Sequence, residues 1–221
     1  MGRRAGSERL RPTLRDVSWS LWLTLVATGA LISFTPGAGA INTMANSLGS
    51  GWTRSIWGIL GQQVALLAHI VVVAAGVGVL VAGSPVLFNV IRYAGAAYLV
   101  YLGVRQFRSR AGAARVEAVQ RESAWSMFRR GLLVNLTNPK AVVFFLAFTP
   151  QFIRPEQALA PQYAVLAATV VAIDIVVMWF FFAAAARGLG RLTQRESGQR
   201  TLNRAFGGLF VGVGVLLAAV H

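Results

Sequence analysis

Two long apolar segments of this chain are each interrupted by a proline that directly follows a polar residue. The first interruption is Thr35 with Pro36, and the second is Asn138 with Pro139. A side-chain acceptor followed by proline is the pattern of a helix start. Inside a membrane, the unpaired N–H groups of a helix start are tolerated only against other protein or a polar cavity. The two interruptions therefore predict broken helices that face such a cavity.

The composition indicates a chain that spans a membrane several times. Of 221 residues, 56% are hydrophobic and 13% are charged, whereas soluble domains carry about 25% charged residues. The predicted apolar elements cover about 17–34, 56–81, 85–107, 128–152, 163–186 and 205–220, and the first continues past its break to about 48. Since a helix of about 20 residues crosses the hydrocarbon core, these elements predict an all-α polytopic membrane protein with about six transmembrane helices.

We expect a single transmembrane domain over residues 17–221, preceded by a basic tail over 1–16 that we predict to be disordered. Arginines concentrate in a central loop, 108–127, counted together with Arg129 and Arg130 that follow it, and in a connector, 187–204. Cytoplasmic loops carry such an excess of basic residues, so both are predicted to lie in the cytoplasm and the N-terminus outside.

A short internal repeat relates the two halves of the chain. Residues 92–98 resemble residues 204–210, with an arginine followed by aromatic residues and glycine. Each half, about 17–107 and about 128–220, reads as a broken helix, a long helix and a glycine-bearing helix. Three crossings are an odd number, so the second half would be inverted in the membrane. This predicts two inverted three-helix repeats with broken or re-entrant first helices, a common transporter architecture with its site between the repeats.

Several function classes are excluded by composition and motifs. The net charge of +14 would suggest nucleic acid in a soluble protein, but here the arginines lie between apolar runs, so no nucleic acid is expected. The chain has no cysteine, and one histidine and one aspartate within the spans are too few for most metal sites. We find no nucleophile–base set, and we expect neither an enzyme nor a metal or cofactor.

Two ionisable residues lie inside predicted spans, Asp174 in the fifth and His69 in the second. An intramembrane carboxylate is costly unless it is paired, hydrated or protonated, so its default interpretation is functional. The two residues follow Pro139 and Pro36 at similar distances, which places them at similar depth. They are candidates for proton coupling, singly or as a relay. The alternative for each residue is a purely structural role, in which its side chain makes a hydrogen bond to a neighbouring helix.

Polar residues around the breaks are candidates for binding a small polar substrate. The predicted substrate-binding residues are Thr35, Pro36, Gly37, Asn42, Gln63, Asn135, Asn138 and Lys140. Lys140 is unusual, because a cation in the first turn of a helix opposes the helix dipole. It either holds an anionic group or extends to the membrane surface. For Arg92 we predict a position at the membrane edge. We predict close helix packing for the glycines Gly58, Gly61, Gly76, Gly78, Gly208 and Gly212.

The chain resembles the LysE/RhtB superfamily of bacterial amino-acid exporters over about residues 17–218. The matching stretches are 36–44, 94–99, 134–140, 150–153 and 174–178, together with Gln63 and His69. The run over 36–44 points to the homoserine-exporter-like branch. Gln62, where that branch usually has an apolar residue, and the basic tail depart from the pattern.

The resemblance implies secondary active efflux of small amino acids or derivatives, such as homoserine, homoserine lactone or threonine, across the bacterial inner membrane. It implies proton antiport, and Asp174 with His69 would then couple protons. The expected partners are the amino-acid substrate, protons and the lipid bilayer, and a homo-oligomer is left open. Two alternatives also stay open: export of another substrate, such as cations or other metabolites, and an intramembrane enzyme.

Overall fold

The computed structural model describes residues 19–81, 84–108, 121–154, 156–193 and 196–219. All regular secondary structure in these ranges is helical, as predicted. The helices are α1 (Trp19–Phe34), α2 (Ala38–Ser50), α3 (Ile56–Val81), α4 (Pro85–Arg108), α5 (Ala124–Leu136), α6 (Pro139–Phe148), α7 (Leu159–Val176), α8 (Ala184–Thr193) and α9 (Glu196–Ala219). Short 3₁₀ turns occur at Thr53–Ser55 and Thr149–Phe152, and a π-helix, Val177–Ala183, joins α7 to α8. The predicted tail over 1–16 and most of the central loop lie outside the described residues.

Both predicted breaks are bends between consecutive helices. The axes change direction by 58° between Leu21–Phe34 and Ala38–Ser50, and by 56° between Ala124–Leu136 and Pro139–Phe152. Among the described residues, two further helices are long and apolar enough to cross a membrane, and each bent pair can supply one more crossing. Helices α4 and α9 do not meet this criterion. Six crossings and the inverted repeat therefore stay predictions.

The second break begins its helix as predicted. Asn138 is the N-cap of α6, and its Oδ1 accepts the N–H of Lys140 at 3.1 Å. Pro139 occupies the first helical position, where its missing N–H has no cost. Local capping chemistry is sufficient to start this helix.

The first break begins its helix differently. Helix α2 starts at Ala38 with Gly37 as its N-cap, and no side chain caps it. The prediction that Thr35 caps this helix is wrong, because its hydroxyl donates to the Leu31 carbonyl at 2.7 Å. A threonine hydroxyl readily bonds the carbonyl four residues earlier. Thr35 therefore completes the end of α1.

Two connecting segments are more helical than the apolar pattern predicts. Helix α5 begins at Ala124, inside the predicted loop 108–127, because the Ser123 hydroxyl accepts the N–H of Ser126 at 3.1 Å as an N-cap. Helices α8 and α9 cover most of the predicted connector 187–204. Arginine, glutamine and leucine favour helix, so polar ends extend the helices beyond their apolar parts.

Glycines bring α3 and α5 into contact through their backbones. A Cβ atom at Gly61 would collide with the Phe128 carbonyl oxygen, and one at Gly131 would collide with the carbonyl oxygen of Gly58. No larger residue fits at either position unless the helices separate. The predicted packing role of Gly58 and Gly61 is therefore confirmed.

Helices α4 and α9 make a similar contact. A Cβ at Gly103 would lie 2.7 Å from the Gly207 carbonyl oxygen, and one at Gly214 would lie 2.9 Å from a backbone oxygen of α4. The predicted packing role of Gly208 and Gly212 is wrong, because a Cβ at Gly212 would meet nothing within 4 Å and one at Gly208 only a ring atom at 3.9 Å. Successive helical residues point in different directions, so neighbouring glycines make the contact instead.

Gly131→Ala is expected to destabilise the protein through the α3–α5 contact. Forcing a methyl group against a backbone carbonyl costs about 1–3 kcal/mol, which lowers the melting temperature of a chain of this size by roughly 2–12 °C. The measurement is thermal unfolding in detergent. Gly76→Ala, also in α3, is the matched control because its Cβ would meet nothing within 4 Å, which also makes the predicted packing role of Gly76 wrong. Equal melting temperatures for the two variants would contradict the contact.

Arg92 is buried, with 7% of its surface exposed, so its side chain packs against other helices; its predicted position at the membrane edge stays a prediction. Its guanidinium donates to the Tyr93 hydroxyl at 2.7 Å and to the Ala218 carbonyl at 3.3 Å. Ala218 lies in the last turn of α9, where the helix dipole favours a cation. Arg92 therefore joins α4 to the end of α9.

Candidate functional site

A cavity lies where the two breaks meet. Residues of α1, α2, α3, α6 and α7 and the end of α5 line it. Its polar lining residues are Ser33, Gln62, Asn135, Asn138, Lys140 and Asp174. The volume open to the centres of water molecules is about 50 Å³. Since one water needs about 10–15 Å³ by this measure, the cavity holds a few waters in this conformation.

Asp174 accepts hydrogen bonds from two other helices. Ser33 of α1 donates its hydroxyl to Oδ1 at 3.1 Å, and Gln63 of α3 donates its amide to Oδ2 at 2.7 Å. The Gln63 Oε1 atom is buried and lacks a partner within the described chain. The π-helix Val177–Ala183 begins one turn later, and such interruptions are frequent at functional sites. Among the described residues, no three His, Cys, Asp or Glu side chains are grouped as metal ligands.

The Lys140 ammonium extends from the start of α6 to the end of α1. Its Nζ donates to the Thr35 carbonyl at 2.6 Å and to the Ile32 carbonyl at 3.1 Å. The C-terminal end of a helix carries the negative end of the dipole and favours a cation. The side chain thus leaves an unfavourable helix terminus for a favourable one. The sequence left two alternatives for Lys140, holding an anionic group or extending to the membrane surface. This conformation shows neither, because Lys140 connects the two breaks.

The predicted residues Pro36 and Gly37 lie beside this lysine. A Cβ at Gly37 would lie 3.3 Å from Cε of Lys140 and 3.5 Å from its Nζ. The Phe210 ring of α9 is centred 6.0 Å from Nζ. Gly37 therefore leaves the space that the lysine side chain needs to reach α1.

Three amides form a connected wall of the cavity. Asn138 Nδ2 donates to Asn135 Oδ1 at 3.4 Å, and Asn135 Nδ2 donates to the Gln62 carbonyl at 3.0 Å. The Gln62 side chain donates to the Gly39 carbonyl at 3.2 Å and to the Thr43 hydroxyl at 3.0 Å. Gln62, the departure noted in the sequence, thus joins α3 to the first turns of α2.

Asn42 lies in a different cluster from the cavity. Its Oδ1 accepts from Arg130 Nε at 2.9 Å, and the same guanidinium contacts Asn46 and forms an ion pair with Glu122. Arg54 of the α2–α3 turn donates to the Glu122 carbonyl at 3.1 Å. This cluster joins α2 to the start of α5. Sequence reasoning counted Arg130 among the charges of a loop, and the one-turn spacing of Asn42 and Asn46 was the signal it missed.

His69 is also separate from the carboxylate it was paired with. Its Nε2 lies 3.3 Å from the Leu136 carbonyl oxygen, at the end of α5. The ring stacks on Phe145 with centroids 6.1 Å apart. The described hydrogen bonds of Asp174 come from other residues, so this structure does not bring His69 and Asp174 into hydrogen-bond contact.

Comparison with known families decides the class of this protein. A model of the LysE type translocator family matches residues 30–220. This chain belongs to that family. The protein is therefore a transporter, as predicted, and not an enzyme. It is a multi-pass protein of the bacterial inner membrane.

Individual relatives of this LysE type translocator cover nearly all of it. An uncharacterized membrane protein of Vibrio cholerae is 41% identical over 198 residues, which are 90% of this chain and 96% of the relative. The homoserine/homoserine lactone efflux protein of Salmonella typhimurium is 40% identical over 206 residues, or 93% and 99% of the two chains. The leucine efflux protein of Enterobacter sp. is 29% identical over 202 residues, or 90% and 95%. No solved structure matches the chain.

Proposed function

We propose that this translocator exports small amino acids or close derivatives, such as homoserine, homoserine lactone or threonine, in exchange for protons. One observation carries the proposal: Asp174 and Lys140 line the same cavity, at the meeting point of two broken helices. An amino acid is a zwitterion, and this pair offers the complementary charges. The names of the Salmonella typhimurium and Enterobacter sp. relatives support an amino-acid substrate.

In this proposal the substrate carboxylate, or a lactone carbonyl, binds Lys140 and the first-turn N–H groups of α2. Gly39 and Ala40 line the cavity, and N–H groups in the first turn of a helix lack partners within the helix and attract anions. The substrate ammonium binds Asp174 and the adjacent Oε1 of Gln63, which lacks a partner among the described residues. Because the cavity holds only a few waters, we assign this conformation to an empty state that must open to load substrate.

Proton exchange follows from competition for one carboxylate. Asp174 can hold a proton or the substrate ammonium, and each excludes the other. Its two hydrogen-bond donors, Ser33 and Gln63, are neutral, and the cation that shares the cavity with it is Lys140, which binds the substrate carboxylate in this proposal. Binding of substrate from the cytoplasm would therefore release a proton, and release of substrate outside would allow a proton to bind.

The direct test uses inverted membrane vesicles, whose lumen corresponds to the outside of the cell. With an acidic lumen, radiolabelled homoserine, threonine or leucine should accumulate inside, and a protonophore should abolish the accumulation. Accumulation that is the same with and without the pH gradient would exclude proton antiport. Failure of every amino acid, with resistance of the cells to metal cations instead, would favour the cation-exporting alternative.

His69→Gln is expected to retain export within about twofold of the wild-type rate, since most substitutions away from the reacting groups have small effects. Glutamine can still donate to the Leu136 carbonyl, and Asp174 keeps its own two donors. The same vesicle assay measures the rate. A loss as large as that of an Asp174 variant would instead establish the His69–Asp174 relay predicted from the sequence.

A further inference from the structure

A second and larger cavity, which we call the vestibule, is also lined by Lys140. Its volume is about 440 Å³. Its walls are the C-terminal part of α4, both breaks and the Phe210 ring of α9. Lys140 lines the vestibule as well as the central cavity, so the two spaces share this side chain.

The vestibule is strongly basic. Arg105 and Arg108 line it beside Lys140, and no carboxylate is among the described lining residues. Both arginines are exposed, and no described acidic side chain pairs with them. Pro36 and Pro139 in the wall have no N–H group to offer. A ligand here therefore meets positively charged side chains as its donors, and a cleft of one charge sign concentrates ligands of the opposite sign.

The vestibule lies toward the C-terminal end of α4. That end leads into the central loop, whose arginines predict the cytoplasmic side. An exporter must collect its substrate from this side. Gln106 donates to Asn203 of α9 at 2.8 Å, which holds the α4 wall of the vestibule against α9.

We propose that the vestibule is a first binding site for the carboxylate of the exported amino acid, ahead of the central cavity. This inference rests on the proposed function. Arg105 and Arg108 attract the carboxylate from the cytoplasm, and Lys140 then binds it. A carboxylate is a stronger acceptor than the two neutral carbonyls that hold Nζ now. It therefore displaces the Ile32 and Thr35 carbonyls, which releases the end of α1 and connects the two cavities.

The test compares both vestibule arginines changed to glutamine, Arg105→Gln with Arg108→Gln, with the wild type in inverted vesicles. The KM for a zwitterionic amino acid should rise about 5- to 10-fold at low salt, with an unchanged maximal rate, because lost steering lowers capture rather than translocation. High salt should reduce the difference in KM between the double variant and the wild type, because it screens the arginine charges. The matched control is Arg129→Gln, an exposed arginine of α5 outside the vestibule. Changing both arginines to lysine should preserve the KM.

The orientation of the vesicles provides a second readout. In right-side-out vesicles that import in reverse, substrate first meets the opposite side, so the double glutamine variant should have the wild-type KM. An unchanged KM in inverted vesicles, or an equal rise of the KM in both orientations, would overturn the proposal that the vestibule is a first binding site. A wild type that moves no amino acid would overturn the proposed function itself, so the two failures are distinguishable.

An anionic lipid headgroup could also bind the two arginines. The purified protein is therefore reconstituted in phosphatidylcholine alone and with added phosphatidylglycerol. A substrate site predicts the same KM ratio between variant and wild type in both membranes. If the variant has a raised KM only in membranes with phosphatidylglycerol, the arginines bind lipid and the proposal is overturned.

Discussion

Asp174→Asn is expected to lower proton-driven export by about 100-fold or more, an effect typical of removing a group on which the reaction depends. Asparagine keeps the shape of the side chain and can still accept from Ser33. Its amide can donate to Gln63 Oε1, which lacks a partner in the described chain. The fold should therefore survive, while the charge that binds a proton or an ammonium group is lost. The measurement is amino-acid accumulation in inverted vesicles with an acidic lumen.

Two companion variants make this result specific. Asp174→Glu retains a carboxylate and should keep measurable transport. Ser33→Ala removes one of the two donors to the carboxylate and should cost less than the loss of the charge. If Asp174→Asn accumulates substrate at the wild-type rate under a pH gradient, the coupling group lies elsewhere.

Lys140→Met is expected to raise the KM for zwitterionic amino acids about 10- to 100-fold, the range for losing a hydrogen bond to a charged group. Methionine fills a similar space with an unbranched, flexible chain. It leaves the Ile32 and Thr35 carbonyls without their donor and removes the positive charge from the central cavity. Some loss of thermal stability should accompany the change.

The ligand chemistry separates a binding role of Lys140 from a structural one. Homoserine lactone has no carboxylate, so its transport should suffer less in Lys140→Met than that of homoserine. Lys140→Arg keeps the charge and should retain part of the activity. Equal losses for lactone and homoserine would show that Lys140 only holds α1 and α6 together.

Features that depend on adjacent residues were predictable. The start of α6 needs only Asn138 and Pro139, and the structure agrees. Thr35 also precedes a proline, but its hydroxyl has two local choices and takes the Leu31 carbonyl behind it. A serine in an apolar run, such as Ser33, gave no signal, because it can equally bond its own helix.

Features that depend on distant partners were not predictable. The dipole argument marked Lys140 as anomalous, but its explanation lies at Thr35, in the other half of the chain. Arg92 and Arg130 were read as charges at a surface because their partners, Ala218 and Asn42, are far away in sequence. Similar depth in two halves does not give two side chains the same direction around the bundle, so His69 and Asp174 do not meet.

The glycine contacts restrict how this transporter can change shape. Helix α3 comes from the first half of the chain and α5 from the second, yet their backbones touch at Gly61 and Gly131. Backbone contacts cannot adjust by rotating side chains, and close-packed interfaces switch between discrete arrangements rather than stretching. We expect α3 with α5, and α4 with α9, each to travel as a rigid body. Each moving part would then contain helices from both halves of the sequence. Cross-links between α3 and α5, placed at positions beside the glycine contact rather than at the glycines, should leave transport intact.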